Sequence, residues 1–215
     1  MNFVDYVSEN SQRITFLLIQ HVQVVLLAVA MATVISIVLA LGTERSPRLR
    51  SAALSISGTI LTIPSFALFG LMIPLFGLGV VPTVLALTVY AVFPILRNTV
   101  TGLETVDANV VDAARGMGMG PWRRLRTVRL PLAWPVILNG VRVATIMVVA
   151  IAAIGAAVRG PGLGELIFRG LSRMGGANAL NEALSGVVGV VVVAVILDGL
   201  FIVVGKLTTP RGLHA

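Results

Sequence analysis

The stretch DAARGMGMGPWRRLRTVRLP, residues 112–131, is the longest polar and basic interval in an otherwise apolar sequence. It carries five of the sixteen lysine and arginine residues and lies between two apolar runs, each long enough to span a bilayer. A chain that only reverses its direction at a membrane surface needs just a few residues for the turn. These twenty residues therefore predict an ordered surface on which another protein docks.

Local conformational preferences predict a shape for this stretch. Asp107 is suited to cap a first short helix, and the three glycines within 116–120 interrupt that helix. A second short helix is predicted over 122–128. Leu130 precedes Pro131 and is therefore disfavoured in the α conformation, so we expect the second helix to end there.

The composition of the chain predicts an integral membrane protein. Of 215 residues, 57% are hydrophobic and 12% are charged, against roughly 25% charged residues in soluble domains. There is no cysteine, which excludes a disulfide framework and a thiol catalyst. Five apolar spans are predicted, at 22–41, 52–76, 83–96, 132–158 and 184–204. We therefore expect an all-α fold in which residues 1–215 form a single transmembrane domain.

Three further features are predicted around these spans. Residues 1–20 have the composition of an amphipathic helix lying on the membrane surface, with His21 as an interfacial residue at its boundary. Pro64 and Pro74 predict kinks within the second span. In the loop before the last span, apolar residues at helical spacing over 163–170 predict a short interfacial helix.

The distribution of basic residues predicts the orientation of the chain. Five spans place the 43–51 loop, the 97–131 loop and the C-terminus on one side of the membrane. That side holds eleven basic residues: Arg45, Arg48, Arg50, Arg97, Arg115, Arg123, Arg124, Arg126, Arg129, Lys206 and Arg211. The other side holds four: Arg13, Arg159, Arg169 and Arg173. The more basic side is cytoplasmic, so we expect the N-terminus outside, and the net charge of +7 needs no nucleic-acid partner.

Residues 112–131 resemble the cytoplasmic loop of permease subunits from binding-protein-dependent ABC importers. The family pattern is E-A-A, three residues, G, nine residues, I, any residue, L-P, and the spacing here matches throughout, with Asp112 for Glu and Val128 for Ile. The resemblance implies that the region of about 104–131 couples the permease to an ATPase subunit. The coupling residues it implies are Asp112, Ala113, Ala114, Gly118, Pro121, Trp122, Leu130 and Pro131. The alternative is an ordinary loop whose Ala, Gly and Pro residues only pack.

Further stretches are similar to the osmoprotectant branch of this family, which carries glycine betaine, choline or carnitine. They are TIPSF at 62–66, PILRNT at 94–99, AARGMG at 113–118 and LPLA at 130–133. The resemblance implies a type I ABC importer permease fold of about five transmembrane helices with short cytoplasmic coupling helices. A permease for an amino acid or another small solute is the alternative.

The resemblance also implies a set of partners. Two permease subunits, identical or related, pair around a central path in the membrane lipid. Two cytosolic ATPase subunits bind below them, and an extracytoplasmic binding protein delivers the solute. ATP then binds to the ATPase partner, and this chain is itself no enzyme and holds no cofactor or metal. A secondary transporter would need inverted repeats, and a membrane enzyme would need a catalytic set that His21 and His214 do not supply.

Two charged residues lie inside the predicted spans, Arg142 in the fourth and Asp198 in the fifth. Intramembrane charges usually pair with one another, so we expect an ion pair between these helices. A role in solute binding and the extension of Arg142 to the lipid headgroups are the alternatives.

Aromatic residues at i, i+3 spacing stand beside the prolines of the second and third spans. Phe66 pairs with Phe69 in this way, and Tyr90 pairs with Phe93. Because aromatic faces attract quaternary ammonium ions, these four residues are candidates for lining the transport path. The alternative is that they only pack between helices.

Overall fold

The computed structural model describes residues 2–209, so that Arg211 and His214 lie outside the described residues. Within residues 2–209 every regular element is helical. The helices are α1 Phe3–Glu9, α2 Ser11–Thr43, α3 Pro47–Leu61, α4 Ser65–Phe76, α5 Val80–Glu104, α6 Ala108–Gly116, α7 Pro121–Arg124, α8 Leu130–Ile154, α9 Gly164–Ser172 and α10 Ala179–Thr208. A π-helical turn, Leu125–Arg129, joins α7 to α8, and a 3-10 turn, Gly155–Val158, follows α8.

The described residues contain four helical segments that are long and apolar enough to cross a membrane. They are α2, α5, the continuous segment Pro121–Val158, and α10. Helices α3 and α4 meet the same criterion only as a pair, and the two are bent by 99° at the break between them. Whether this pair crosses the membrane or folds back depends on where its two ends lie.

The contacts at the two ends of the bundle place α3 and α4 in a single broken crossing. Near the start of α3, Arg50 forms an ion pair with Glu104, the last residue of α5. After α4, the amide of Gly79 donates to the carbonyl oxygen of Val158 at 2.9 Å, just before the start of α5. Because the two ends of α5 are at opposite ends of the bundle, α3 and α4 together connect them. Residues 2–209 thus contain five candidate crossings, of which the second is broken.

The break in the second crossing has a local cause and a tertiary one. Ile63 precedes Pro64, so the α conformation is disfavoured at that position. The carbonyl oxygen of Ile63 accepts a hydrogen bond from the hydroxyl of Tyr90 at 2.6 Å, which satisfies a backbone group left outside both helices. The predicted kink at Pro64 is therefore a full break, whereas Pro74 lies inside α4 without ending it.

Helix α5 forms the centre of the bundle and packs against both α2 and α8. The buried face of each helix contains small residues, which allow close approach of the backbones in a membrane. Fully buried examples are Ala28 and Ala32 of α2, Ala86 and Ala91 of α5, and Ala144 of α8. In contrast, α10 leaves most of its apolar surface exposed, so that this surface is available to lipid or to another subunit.

The prediction for the N-terminal region is wrong from Ser11 onwards, because α2 runs without interruption to Thr43 and only α1 is a separate short helix. His21 is fully buried rather than interfacial, and its Nε2 atom lies 3.1 Å from the carbonyl oxygen of Val149. The backbone of Gly162, at φ +121°, covers the histidine ring closely. A backbone carbonyl thus satisfies Nε2 of this inward-facing histidine, whereas its buried Nδ1 has no hydrogen-bond partner among residues 2–209.

Charged side chains tie α2, α9 and α10 together at the end of the bundle opposite the 112–131 stretch. The guanidinium of Arg13 lies 2.8 Å from Glu165 and 3.0 Å from Glu182, and Arg169 lies 3.3 Å from Glu182. Burial and the nearby Glu182 carboxylate raise the pKa of the Tyr6 hydroxyl on α1. The short helix predicted over 163–170 is present as α9, and these contacts hold it against the bundle.

We predict that Gly164→Ala destabilises the fold. A Cβ atom at Gly164 would lie 1.9 Å from the carbonyl oxygen of Ala153, so that α9 would have to move away from α8. Overpacking of this kind costs about 1–3 kcal/mol, which a thermal unfolding curve in detergent would detect. The control is Gly199→Ala on α10, where a Cβ meets nothing within 4 Å. Equal melting temperatures for the two variants would contradict the packing described here.

Candidate coupling surface and transport path

Helix α6 begins at the cap that the sequence predicts. The carboxylate of Asp107 accepts a hydrogen bond from the amide of Asn109 at 2.8 Å. Of the three residues that open the family pattern, Asp112 and Ala113 are exposed and Ala114 is buried. The helix therefore rests on the bundle through one alanine and presents the carboxylate of Asp112 to the solvent.

A glycine turn follows α6 and gives the surface its shape. The amides of Met117 and Met119 donate to the carbonyl oxygens of Ala113 and Ala114, at 3.0 Å and 3.2 Å, which closes the end of the helix. Gly118 has φ +76°, a conformation that favours glycine. A Cβ at Gly118 would meet nothing within 4 Å, so backbone conformation rather than space accounts for glycine here.

The second helix does not end at Leu130 and Pro131, so the predicted stop is wrong. The segment from Pro121 to Val158 is one continuous helix, and Pro131 lies in the first turn of α8. The amide of Leu130 donates to the carbonyl oxygen of Leu125, five residues earlier, as in a π-helical turn. A wider turn relieves the clash that a proline ring makes with the preceding turn of an α-helix.

The exposed face of this region combines apolar and basic side chains. Trp122 is 66% exposed and Met117 is 69% exposed, while Pro121 and Pro131 are also exposed. Leu125 is buried and anchors the widened turn in the bundle, and Leu130 is half-buried. Large exposed apolar residues beside arginines are typical of a surface that another protein covers.

Two ion pairs hold this region against the ends of neighbouring helices. Arg129 pairs with Glu44 at the end of α2, and its guanidinium also donates to the carbonyl oxygen of Leu103 at 3.5 Å. Arg50 pairs with Glu104 close by. A cleft of about 700 Å³ separates the end of α2 from the 121–129 segment. The 121–129 segment is therefore attached to the ends of α2 and α5 and leaves a cleft beside α2.

Arg142 and Asp198 meet between α8 and α10. The Nε and Nη2 atoms of Arg142 donate to the two carboxylate oxygens of Asp198 at 2.6 Å and 2.8 Å. Both side chains are about one-third exposed, so they face the outside of the subunit rather than its core. Because each charge neutralises the other, the pair can lie at a lipid-facing or subunit-facing surface.

The four aromatic candidates do not line a common surface. Phe69 and Tyr90 are buried in the core, where the Tyr90 hydroxyl bonds to the backbone at the α3–α4 break. Phe66 is 64% exposed on α4. Phe93 is half-buried and lies in a groove between α3 and α5. Of the four, only Phe93 borders that groove.

The groove beside Phe93 has a volume of about 610 Å³ and is not among the sites predicted from the sequence. Its α3 side carries Ser55, Thr59 and Thr62, and its α5 side carries Arg97 below Phe93. The spacing of the three hydroxyl residues, i, i+4 and i+7, was the available signal, since it places them on one face of a helix. Within residues 2–209, no cluster of three His, Asp or Glu side chains is arranged to hold a metal ion.

We predict that the Arg142–Asp198 pair contributes to the stability of the protein in the membrane. Arg142→Gln or Asp198→Asn alone strands a charge at the membrane-embedded surface and should reduce the amount of folded protein. The double variant should recover a large part of that loss, as measured by fluorescence-detected size exclusion of detergent extracts. Losses that simply add in the double variant would show that the pair has no stabilising role.

The sequence of this chain matches a known protein family and several of its members. The sequence profile of the family described as binding-protein-dependent transport system inner membrane component matches residues 14–208. The chain is 37% identical over 219 aligned residues to the osmoprotectant import permease protein OsmW of Salmonella typhimurium, with 100% of both chains covered. It is 34% identical over 195 residues to the glycine betaine/carnitine/choline transport system permease protein OpuCB of Bacillus subtilis, covering 91% of this chain and 88% of the relative.

A similarity to a solved structure shows the fold. The chain superposes on a chain of the MetNI methionine ABC transporter in an inward-facing conformation with a TM-score of 0.77. The match covers 92% of this chain and 96% of the other at 23% sequence identity. The two chains therefore share the overall arrangement of their helices.

Proposed function

Because this chain belongs to the family of binding-protein-dependent transport system inner membrane components, we propose that it is the multi-pass permease subunit of an osmoprotectant ABC importer. The solute class we propose is glycine betaine, choline or carnitine, as the names of two full-length relatives suggest. The observation that carries the proposal is the exposed surface of α6 and α7 at the end of a membrane-spanning helix. This surface is suited to receive a partner and to pass its movement into the membrane.

The 104–131 region is the proposed contact with the ATPase subunit. Trp122 and Gly118 lie at its centre, and the exposed Asp112, Ala113, Pro121 and Pro131 surround them. Ala114 and Leu130 contribute by seating the region on the bundle. ATP binds and is hydrolysed on the partner, so this chain needs no catalytic group or cofactor of its own.

The continuous segment Pro121–Val158 gives the coupling mechanism a physical route. A displacement of α7 is transmitted through the π-helical turn into α8, which packs on α5 and α2 in the centre of the bundle. Nucleotide binding and hydrolysis on the ATPase then select between two packings of the permease pair. One packing opens the path outwards and the other opens it inwards.

The proposed orientation places the coupling surface in the cytosol. The indole N–H of Trp134 donates to the hydroxyl of Thr208 at 2.8 Å, so the end of α10 lies beside the start of α8. The described basic residues of the more basic side therefore gather at one end of the bundle, as a cytoplasmic side requires. The N-terminus and α9 lie at the outer end, where a solute-binding protein would dock. The second permease subunit, identical or related, packs against exposed apolar helix surface.

We predict that Gly118→Asp uncouples ATP hydrolysis from uptake and that Trp122→Ala weakens the association with the ATPase. A side chain at Gly118 meets nothing within 4 Å and Trp122 is largely exposed, so neither change disturbs the packing of the bundle, and the strain of Asp at φ +76° is confined to the turn after α6. Co-purification of the ATPase and uptake in proteoliposomes measure the two effects. Val4→Ala, at an exposed position on α1, is the control. Normal transport by Gly118→Asp would contradict the coupling assignment.

The solute assignment predicts chain-dependent uptake of a quaternary ammonium compound. Cells that carry the complete transporter should accumulate labelled glycine betaine or choline, and deletion of this subunit alone should abolish the uptake. The same cells should be tested with labelled methionine and histidine. Chain-dependent uptake of an amino acid without uptake of either osmoprotectant would favour a permease for another small solute and leave the importer function in place.

A further inference from the structure

The groove between α3 and α5 contains the chemical groups that a small zwitterion requires, and its one charged lining residue, Arg97, makes no ion pair within residues 2–209. Its lining comprises Leu54, Ser55, Gly58, Thr59, Thr62, Phe93 and Arg97. One wall is hydroxyl-bearing, and the other combines an aromatic ring with a guanidinium. This arrangement differs from the apolar packing between α5 and its other neighbours.

The α3 wall presents its hydroxyl groups along one helix face. Ser55, Thr59 and Thr62 are all exposed, and the Thr62 hydroxyl donates to the carbonyl oxygen of Thr59 at 2.7 Å. The hydroxyls of Ser55 and Thr59 have no hydrogen-bond partner in the part of the chain that the structure describes. They are free to bind a polar group within the groove.

The α5 wall places an aromatic ring and a positive charge one turn apart. Phe93 and Arg97 are at i and i+4, about 6 Å apart along the helix axis. Gly58 allows the ring to lie against α3, since a Cβ there would be 3.0 Å from the Phe93 Cε2 atom. The ring therefore packs against α3 at the edge of the groove.

Arg97 is the charged residue of the groove lining. Arg50 on α3 pairs with Glu104, whereas Arg97 is exposed and makes no ion pair with any of residues 2–209. The third predicted span covers residues 83–96, with the helix expected to run on through Asn98 and Thr99, and α5 in fact continues to Glu104, two turns beyond Arg97. Arg97 thus lies about 10 Å from the end of its helix, and an unpaired cation at such a position is a candidate functional residue.

We propose that this groove is a transient half-site for zwitterionic quaternary ammonium solutes and that Arg97 binds their carboxylate. The site rests on the proposed function and deepens it. The guanidinium supplies paired donors for a carboxylate, the Phe93 face attracts the quaternary ammonium, and the α3 hydroxyls solvate the solute. The groove is much larger than such a solute, so binding is weak enough to permit release, as transport requires.

The proposed half-site should distinguish solutes that carry a carboxylate from those that carry a hydroxyl group in its place. Glycine betaine and carnitine carry a carboxylate, whereas choline carries a hydroxyl in its place. Arg97 should therefore favour the first two and repel the cationic choline. Removal of the guanidinium should lower betaine uptake roughly tenfold, the scale of one lost charge-assisted hydrogen bond, and leave choline uptake unchanged or higher.

The experiment compares initial rates of labelled glycine betaine and choline uptake in proteoliposomes that contain the complete transporter and a saturating amount of its binding protein. The variants are Arg97→Gln, which removes the charge, and Arg97→Lys, which keeps the charge without the planar pair of donors. Each betaine-to-choline ratio is divided by the wild-type ratio, which cancels the specificity of the unchanged binding protein. Arg48→Gln, at an exposed position of α3 outside the groove, is the matched control.

A lower betaine-to-choline ratio in Arg97→Gln, with a smaller decrease in Arg97→Lys and none in Arg48→Gln, would support the half-site. An unchanged ratio in both Arg97 variants would overturn it, including the case in which both rates fall equally because the groove contacts the second permease. If both Arg97 variants fail to insert into the membrane while Arg48→Gln inserts normally, Arg97 has a structural role, and this result would also overturn the half-site.

Wild-type behaviour separates this proposal from the function on which it rests. Uptake of choline without betaine by the wild-type transporter would overturn the half-site and leave the osmoprotectant function intact. Uptake of neither solute would remove the osmoprotectant function itself. If the transporter carries betaine alone, Arg97→Gln should lower betaine uptake while ATP hydrolysis stimulated by the loaded binding protein persists, and loss of both together would overturn the half-site.

Discussion

The structure depends on the way a helix passes through Pro131 without ending. A proline at this position lacks an amide hydrogen and crowds the preceding turn, so an ordinary α-helix would kink or stop. The π-helical turn at Leu125–Arg129 widens the helix by one residue per hydrogen bond and removes that conflict. As a result, the exposed surface of α7 and the buried centre of α8 are parts of one element. A loop with a true break at Leu130 would transmit a push far less directly.

The contacts that attach this element differ in kind between its ends and its middle. In the middle, close packing of small apolar residues leaves little freedom for α8 to move relative to α5. At the end that carries the proposed coupling surface, Arg129–Glu44 and Arg50–Glu104 are partly exposed ion pairs, which are individually weak and are screened by salt. Such pairs can exchange partners at small cost when a neighbouring subunit moves. Close apolar packing in the middle and weak ion pairs at one end together give a rigid core with an attachment that can adjust.

The sequence predicted those parts of the fold that single residues or short apolar runs determine. The cap at Asp107 and a helix-ending glycine within 116–120 follow from the chemistry of single residues, and the structure has the cap and gives the positive φ to Gly118. The five crossings follow from the length of apolar runs, which the bilayer thickness requires. The continuation of the helix through Pro131 could not be predicted from the sequence. A π-helical turn differs from an α-helical one only in its backbone hydrogen bonds, and no particular residue type signals it. Tertiary contacts likewise decided the burial of His21 and the sharp break at Pro64.

The aromatic residues show where periodicity stops being informative. An i, i+3 spacing places two side chains on one face of a helix, but it does not say which neighbour that face meets. Phe69 and Tyr90 face the bundle interior, and Tyr90 uses its hydroxyl to satisfy the broken backbone of the second crossing. Phe93 meets α3 at Gly58, which keeps the ring at a groove that also contains Arg97. A face that combines an aromatic ring with an unpaired charge differs chemically from one that only packs, and this difference appears only when two helices are seen together.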